Sequence, residues 1–208
     1  MSDQNPQRPL DGIRVIELGQ LLAGPFTGSI LAYFGAEVIK VEPPGAGDPI
    51  RGWRIVENGT SHWYRSLGRN KKSVTINLKT EAGRDLVRQL IGTADVVVEN
   101  FRPGVVEEWG LGPDEMKDKN PALVYARISG YGQTGPYSSK PGYASVTEGV
   151  SGFRYVNGFP GDPPVRPNLS VGDTVSAIHA ALGICLALIQ RGRPDGGNGQ
   201  VVDVALYE

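Results

Sequence analysis

The sequence predicts an α/β protein built on an open, mostly parallel, Rossmann-like sheet with helices on both faces. Three observations carry that expectation. Short apolar runs recur at residues 13–18, 37–42, 73–78, 94–99 and 123–129, each of strand length and bounded by turn residues. Segments with helical spacing lie between them, and such alternation marks crossover connections between parallel strands. The 29 glycines and 16 prolines are scattered between the apolar runs of the 208-residue chain without a period, as expected of tight turns in a folded domain.

Residues 13–18 (IRVIEL), framed by Asp11-Gly12 and Gly19, read as a buried strand. The chain turns over 20–25 (QLLAGP), and 26–34 read as a helix stopped by Gly35, a residue suited to a left-handed cap. Residues 37–42 (EVIKVE) form the second strand, closed by Pro43-Pro44-Gly45, and the short helix before it implies a right-handed crossover. The third strand, 73–78 (SVTINL), follows the basic cluster 69–72 (RNKK) and leads into a helix over 80–93 capped by Thr80. The fourth and fifth strands, 94–99 (ADVVVE) and 123–129 (LVYARIS), flank a helical stretch around 113–119. From 130 to 167 the composition shifts to Gly, Pro, Tyr and Ser, a loop layer with one short helix and too long for a plain connection.

The segment 165–187 (VRPNLSVGDTVSAIHAALGICLA) is where chemistry is expected. Val175, Ile178, Leu182, Leu186 and Ile189 recur at three- and four-residue steps, so the spacing predicts a buried helix. Pro167 and Gly172 interrupt any earlier helical run and place its start at Asp173 or Thr174. Two readings of Asp173 stand side by side. It is an N-cap worth roughly 1 kcal/mol, or it is a nucleophile facing a cleft that Gly172 opens to a second molecule. Spacing does not decide between them.

Composition removes several function classes. A net charge of −1, from 21 basic and 22 acidic residues, sets up no field for nucleic acid or an anionic membrane. Cys185 is the single cysteine, so no intrachain disulfide forms, and a reduced, cytoplasmic setting is the default. Within an apolar helix its thiol is a poor nucleophile. His62 and His179 stand far apart without neighbouring ligands, and no metal site is expected. No run reaches the ~20 apolar residues of a membrane span, and the opening MSDQNPQRPLDG has no apolar leader core, so a soluble chain is expected. The G-x-G-x-x-G spacing follows no strand. An NAD-dependent oxidoreductase therefore rests on the α/β alternation alone.

Ligands of open α/β sheets sit beyond the carboxyl ends of the strands, here 20–25, 43–48, 100–104 (NFRPG) and 130–135. These segments offer glycine backbone, the Asn100 amide, the Phe101 ring and the Arg102 guanidinium, a mixture suited to a large ligand with a flat heterocycle and phosphates. Each piece by itself also reads as an ordinary turn.

Taken in order, LAGPF at 22–26, GAEVIKVEPPGAGD at 35–48, RNKKSVTINLK at 69–79, ADVVVENFRPG at 94–104, SGYGQTGPY at 129–137 and the Gly172-Asp173 pair resemble the family III CoA-transferases, the group that includes formyl-CoA and carnitine CoA-transferases. The resemblance runs nearly end to end. It implies reversible transfer of CoA from an acyl-CoA to a free carboxylic acid, with Asp173 attacking the thioester. A mixed anhydride, then an aspartyl-CoA thioester, then a second anhydride would follow. It implies coenzyme A and acyl-CoA as substrates and no permanently bound cofactor. Gln20 would lie by the acyl group, and Leu22, Ala23, Lys79, Asn100, Phe101, Arg102, Lys140 and Tyr143 would contact CoA.

The chain also departs from the family. Pro43 stands where some members hold the adenosine-phosphate end with a basic residue, leaving Lys71, Lys72 or Arg102 for that contact. Family members continue with a smaller domain and a return segment and form interlocked homodimers. Residues 1–208 are thus expected to be the N-terminal part of a truncated large domain, and an inactive CoA-binding fragment is the alternative. In that reading the final apolar segment 200–206 is left as an uncovered strand. GAGDPIRGW, GYGQTGPY and DPPVRP resemble members that use succinyl-CoA with a dicarboxylate acceptor, which makes Arg51, Arg154 and Arg166 candidates for a distal carboxylate.

Overall fold

The computed structural model describes residues 7–208. In chain order the elements are β1 (Arg14–Glu17), α1 (Ala23–Tyr33), β2 (Glu37–Glu42), a 3-10 turn (Pro49–Gly52), β3 (Val56–Glu57), β4 (Thr60–Ser61), α2 (His62–Leu67), β5 (Lys71–Thr75) and α3 (Glu81–Ile91). They continue with β6 (Val96–Glu99), α4 (Val105–Glu108), α5 (Pro113–Lys117), β7 (Val124–Ser129), α6 (Ala144–Val150), α7 (Val171–Arg191) and β8 (Val201–Ala205).

Six strands form one sheet in the order β5-β2-β1-β6-β7-β8, every neighbouring pair parallel, while β3 and β4 make a separate small hairpin. The chain starts in the middle, winds to one edge through β2 and β5, then returns to β6 and winds to the other. The order of connection reverses between β1 and β6, and the crevice at the carboxyl ends of those two strands is where such sheets bind ligands.

Both faces of the sheet are covered, which is why its central strands carry few polar residues. All four residues of β6 and all six of β7 are buried. Alternate side chains divide between two cores. Val15, Val38, Val96, Val98, Val124, Ala126 and Ile128 meet α1 and α7 on one face. On the other, Ile16, Val41, Val97 and Tyr125 pack with Val87, Ile91, Val106, Leu111 and Met116.

Most elements fall within a few residues of their expected places, including the Thr80 cap, whose hydroxyl accepts from the Gly83 N–H at 3.2 Å. Three differ in instructive ways. β5 occupies 71–75 instead of 73–78, because its register against β2 pairs Lys71 with Val38 and Thr75 with Glu42; Ile76 follows beyond the strand as a core residue. α7 begins at Val171, so Asp173 is its third residue and does not cap it.

The third difference concerns which face of α7 is covered. Val175, Ile178, Leu182, Leu186 and Ile189, the stripe that predicted burial, are between 45% and 59% exposed. The small face, Ala177, Ala180, Ala181, Ile184 and Ala187, lies against the sheet and α1, close enough for the Thr27 hydroxyl to reach the Ala177 carbonyl at 3.3 Å. By length and composition the 21 residues of α7 would suffice to cross a bilayer, contrary to the expectation from sequence that no run does. Cys185 is half-buried on this helix, and burial pushes its thiol pKa up.

Candidate active site

The crevice between β1 and β6 is built from a turn that the rest of the fold holds in place. After β1, Leu21 adopts φ +63°, a left-handed conformation that a leucine keeps only when its surroundings enforce it. Asn100, the first residue past β6, supplies one brace: its Oδ1 accepts from the Gln20 N–H at 2.8 Å and its Nδ2 donates to the Gln20 carbonyl at 2.9 Å. The Leu21 N–H donates to Asp48 at 3.0 Å, the second brace. A side chain on Gly19 would stand 2.9 Å from the Asn100 amide oxygen and 3.0 Å from the Cα of Gly24, so the GQLLAG sequence lets the turn and the start of α1 close on Asn100.

Behind that turn runs a chain of buried ions. Lys71 bonds Glu17 at 2.7 Å, Glu17 bonds Lys40 at 2.9 Å, and Lys40 bonds Asp48 at 2.7 Å, all four side chains being no more than 3% exposed. Lys40 also donates to the Gly19 carbonyl at 2.9 Å. For Lys40 burial works to lower the pKa, but the two carboxylates outweigh it and hold the ammonium above its ordinary value. Next to this chain, burial would raise the Glu42 carboxyl. The bidentate Arg51 contact, the Asp48 N–H and the Ser73 hydroxyl instead bring it to about 2.

The opposite wall comes from the loop layer and α7. Gly130 and Gly142 pack backbone to backbone, a Cβ on Gly130 falling 2.5 Å from the Cα of Gly142, and so bring the SGYG and PGYA motifs together at the end of β7. A Cβ on Gly172 would reach the Ala144 side chain at 3.4 Å, so the helix start packs closely against α6. One residue on, Asp173 is half-buried in the first turn of α7.

Asp173 belongs to two clefts. One, of about 570 Å³, lies over the crevice and is lined by Leu21, Leu22, Ala23, Asn100, Tyr143, Arg54, Arg166 and Asp173 among others. The second, about 450 Å³ and mostly apolar, is bounded by Leu22, Phe26, Trp63, Leu67, Leu169 and Asp173. Burial pushes the Asp173 carboxyl up to about 6, the Glu148 charge adds to the rise, and Arg166 opposes it. The Glu148 carboxylate is itself buried beneath the helix start, where it accepts from the Gly172 N–H at 3.4 Å. A carboxyl tuned toward neutral pH in a cleft is an arrangement found at functional sites more often than at structural caps.

Of the residues expected at the site, the crevice brings together Leu22, Ala23, Asn100, Tyr143 and Asp173, with Gln20 held beside them through its backbone. Four lie elsewhere. The partly buried Phe101 ring packs edge-on against Trp109 at 5.2 Å beside the core and outside both clefts. Arg102 and Lys79 are exposed outside either cleft. Lys140 stands over the Tyr137 ring at 3.7 Å, also outside them. Among the cations considered for the phosphate end, Lys71 is spent on Glu17 and the Pro25 carbonyl, and Lys72 pairs with Glu37. Sequence reasoning passed over Arg54, Lys40 and Asp48. The GAGD turn was the one visible signal for Asp48, and nothing local marks the other two.

A parallel sheet with this strand order and a carboxyl at the mouth of its central crevice places the chain in the α/β class whose ligands sit at the topological switch point. Comparison makes the class specific: the sequence matches the CoA-transferase family III profile over residues 10–208, and the chain belongs to that family. It is 55% identical over its whole length to the succinyl-CoA–D-citramalate CoA-transferase of Chloroflexus aurantiacus, of which it covers 52%. With human succinyl-CoA:glutarate CoA-transferase it shares 41% identity over 99% of its length and 47% of that protein. A CAIB/BAIF family protein from Brucella suis superposes with a TM-score of 0.91 at 39% identity, covering 97% of this chain and 54% of that one. The chain thus spans about half the length of the curated relatives it matches.

Proposed function

We propose that the protein takes part in CoA transfer from succinyl-CoA to a free carboxylic acid, with Asp173 as the nucleophile. The observation that carries this reading is the state of that carboxyl. Among the described residues it accepts no hydrogen bond, it is held at a raised pKa, and it sits where two clefts meet at the switch point. In the reaction the Asp173 carboxylate attacks the thioester carbonyl and expels CoA thiolate, leaving a mixed anhydride. The thiolate then attacks the aspartyl carbonyl and releases the first acid. The acceptor carboxylate reverses both steps on the resulting aspartyl-CoA thioester, so atoms and charge balance without a bound cofactor.

The walls suit these steps. α1 begins at Ala23 without a side-chain cap, and the amides of a first helical turn have no intrahelical acceptor; with Leu22 and Ala23 lining the cleft, they are placed to take the developing oxyanion. The Asn100 brace holds that turn against Asp173, since positioning carries much of the barrier reduction in such transfers. Lys79, Arg102 and Lys140 remain for the solvent-exposed end of CoA. The names of the relatives, which specify succinyl-CoA as the donor, support that choice of thioester. The same reading has the protein work in the cytoplasm and pair with a second copy, for which the exposed apolar stripe of α7 is suited.

Trapping tests the assignment. After incubation with succinyl-CoA, hydroxylamine should convert an activated carboxyl to a hydroxamate that peptide mass mapping places on Asp173. A label on another carboxylate, or none, overturns it.

A further inference from the structure

We infer that Arg166 and Arg54 form a carboxylate subsite in the cleft beside Asp173, reading the distal acid group of a short dicarboxylic acyl chain. The inference rests on the reading of Asp173 as the acyl acceptor and names what the acyl chain must carry. Most guanidinium groups among the described residues are already spent. Arg51 makes two bonds to Glu42, at 2.6 and 2.8 Å, and stacks on Tyr64, so it is withdrawn from the cleft. Arg154 is turned to the Ser145 carbonyl. Arg127 is held between Glu99 and Glu107, Arg191 on Asp95, and Arg14 on Glu37.

Of the others, Arg69, Arg102 and Arg193 lie outside the cleft, whereas Arg54 and Arg166 line the cleft that contains Asp173. Arg54 is exposed, makes no salt bridge among the described residues, and stands over the Trp63 ring at 5.5 Å. Its φ of +55° is a conformation that arginine rarely takes. Arg166 enters from the loop layer. Its Nε lies 3.6 Å from a Glu148 carboxylate oxygen that has no hydrogen bond, close enough to orient the side chain yet leaving the fork of the guanidinium unbonded. Its side chain is 41% exposed.

The remaining lining distinguishes the ligand. Leu21, Leu22, Ile128 and Leu206 give the cleft apolar walls on which any acyl chain can lie, so a monocarboxylic chain would gain nothing from two cations. A second carboxylate would, because the planar guanidinium fork matches its two oxygens. The phosphates of CoA present the same anionic chemistry, and the test must therefore separate the two sources.

Calorimetric titration of the 208-residue chain with succinate, butyrate and CoA does so, since the two acids have equal carbon counts and differ in the distal group. Succinate should bind roughly tenfold to a hundredfold more tightly than butyrate. Arg166→Gln should erase most of that preference and Arg54→Gln part of it, with CoA affinity unchanged in both. Arg193→Gln, an exposed charge loss elsewhere, should leave all three affinities alone. Arg166→Lys, which keeps the charge without the fork, should restore only part of the preference. Equal binding of the two acids, no detectable succinate binding, a preference that survives the Arg54→Gln/Arg166→Gln double variant, or a loss of CoA affinity in place of succinate affinity would each overturn the subsite. Hydroxylamine trapping of the same protein after incubation with succinyl-CoA reports on Asp173 separately: an unlabelled Asp173 with the acid preference intact removes the transfer reading and keeps the subsite.

Discussion

The two walls of the crevice are made in opposite ways. The wall at the ends of β1 and β6 is set by buried charge, with Lys71, Glu17, Lys40 and Asp48 linked behind the Gly19–Leu22 turn and none more than 3% exposed. The facing wall, from Tyr143 to Ser170, sets a few buried residues such as Thr147 and Glu148 under a largely exposed layer: Tyr143 is 66% exposed, Tyr155 and Phe159 82% each, and Arg166 meets solvent. Buried ions leave a backbone one arrangement, because any other would strand a charge without its partner. Loops on a rigid scaffold can vary without disturbing the core. In the proposed reading the reaction geometry belongs to the first wall and recognition of the acid to Arg166 of the second together with Arg54, with Asp173 on the boundary.

Removing the boundary residue should have the largest effect. Asp173→Ala should lower transfer by at least roughly ten-thousandfold, as expected when a covalent nucleophile is lost, while the circular dichroism spectrum stays unchanged because the side chain caps nothing. Turnover near that of the parent chain would return the residue to a structural role.

The rigid wall is broken next by Lys40→Met, which leaves Glu17 and Asp48 buried without their shared cation. A loss of about 3–5 kcal/mol is expected from urea unfolding. If the variant unfolds with the parent midpoint, the ion chain is not what holds this wall. Asn100→Ala is milder, deleting the two bonds to Gln20 for about 1–3 kcal/mol. Its signature is a larger rise in KM for acyl-CoA than the stability loss accounts for.

The boundary can also be tuned. As the proposed nucleophile Asp173 would have to be ionised to attack, so transfer should climb as pH rises through about 6 and level off above it. The sign for stability is opposite. A carboxyl whose pKa folding has raised destabilises the native state while ionised, and that penalty is relieved as pH falls through about 6. Glu148→Gln removes the neighbouring charge and should move the midpoint of the rate profile down, and Arg166→Gln should move it up. A midpoint that shifts in neither variant would remove the electrostatic coupling across the boundary.

The smallest effect belongs to the outer face of α7. Leu182 is 55% exposed, and Leu182→Gln should change the stability of a dilute sample by no more than about 0.5 kcal/mol. A larger loss that grows with protein concentration in the parent chain would show that a second copy covers the stripe.

By itself the sequence determined the sheet, its parallel character and the rough limits of most elements, because strand length, helical spacing and turn residues are local properties that survive in any context. It also singled out Asp173 and Asn100 through their places at the opening of a helix and after a strand, and Leu22 and Ala23 through the resemblance to the family. Only the tertiary structure decided that Asn100 clamps a turn 80 residues away, that Lys40 and Asp48 brace it, and that Arg54 and Arg166 share a cleft with Asp173. It also decided that α7 turns its alanine face inward. Periodicity records where apolar side chains lie, but both faces of α7 are apolar. The choice between them depends on how closely a helix can approach α1 and the sheet, which small residues permit and large ones prevent.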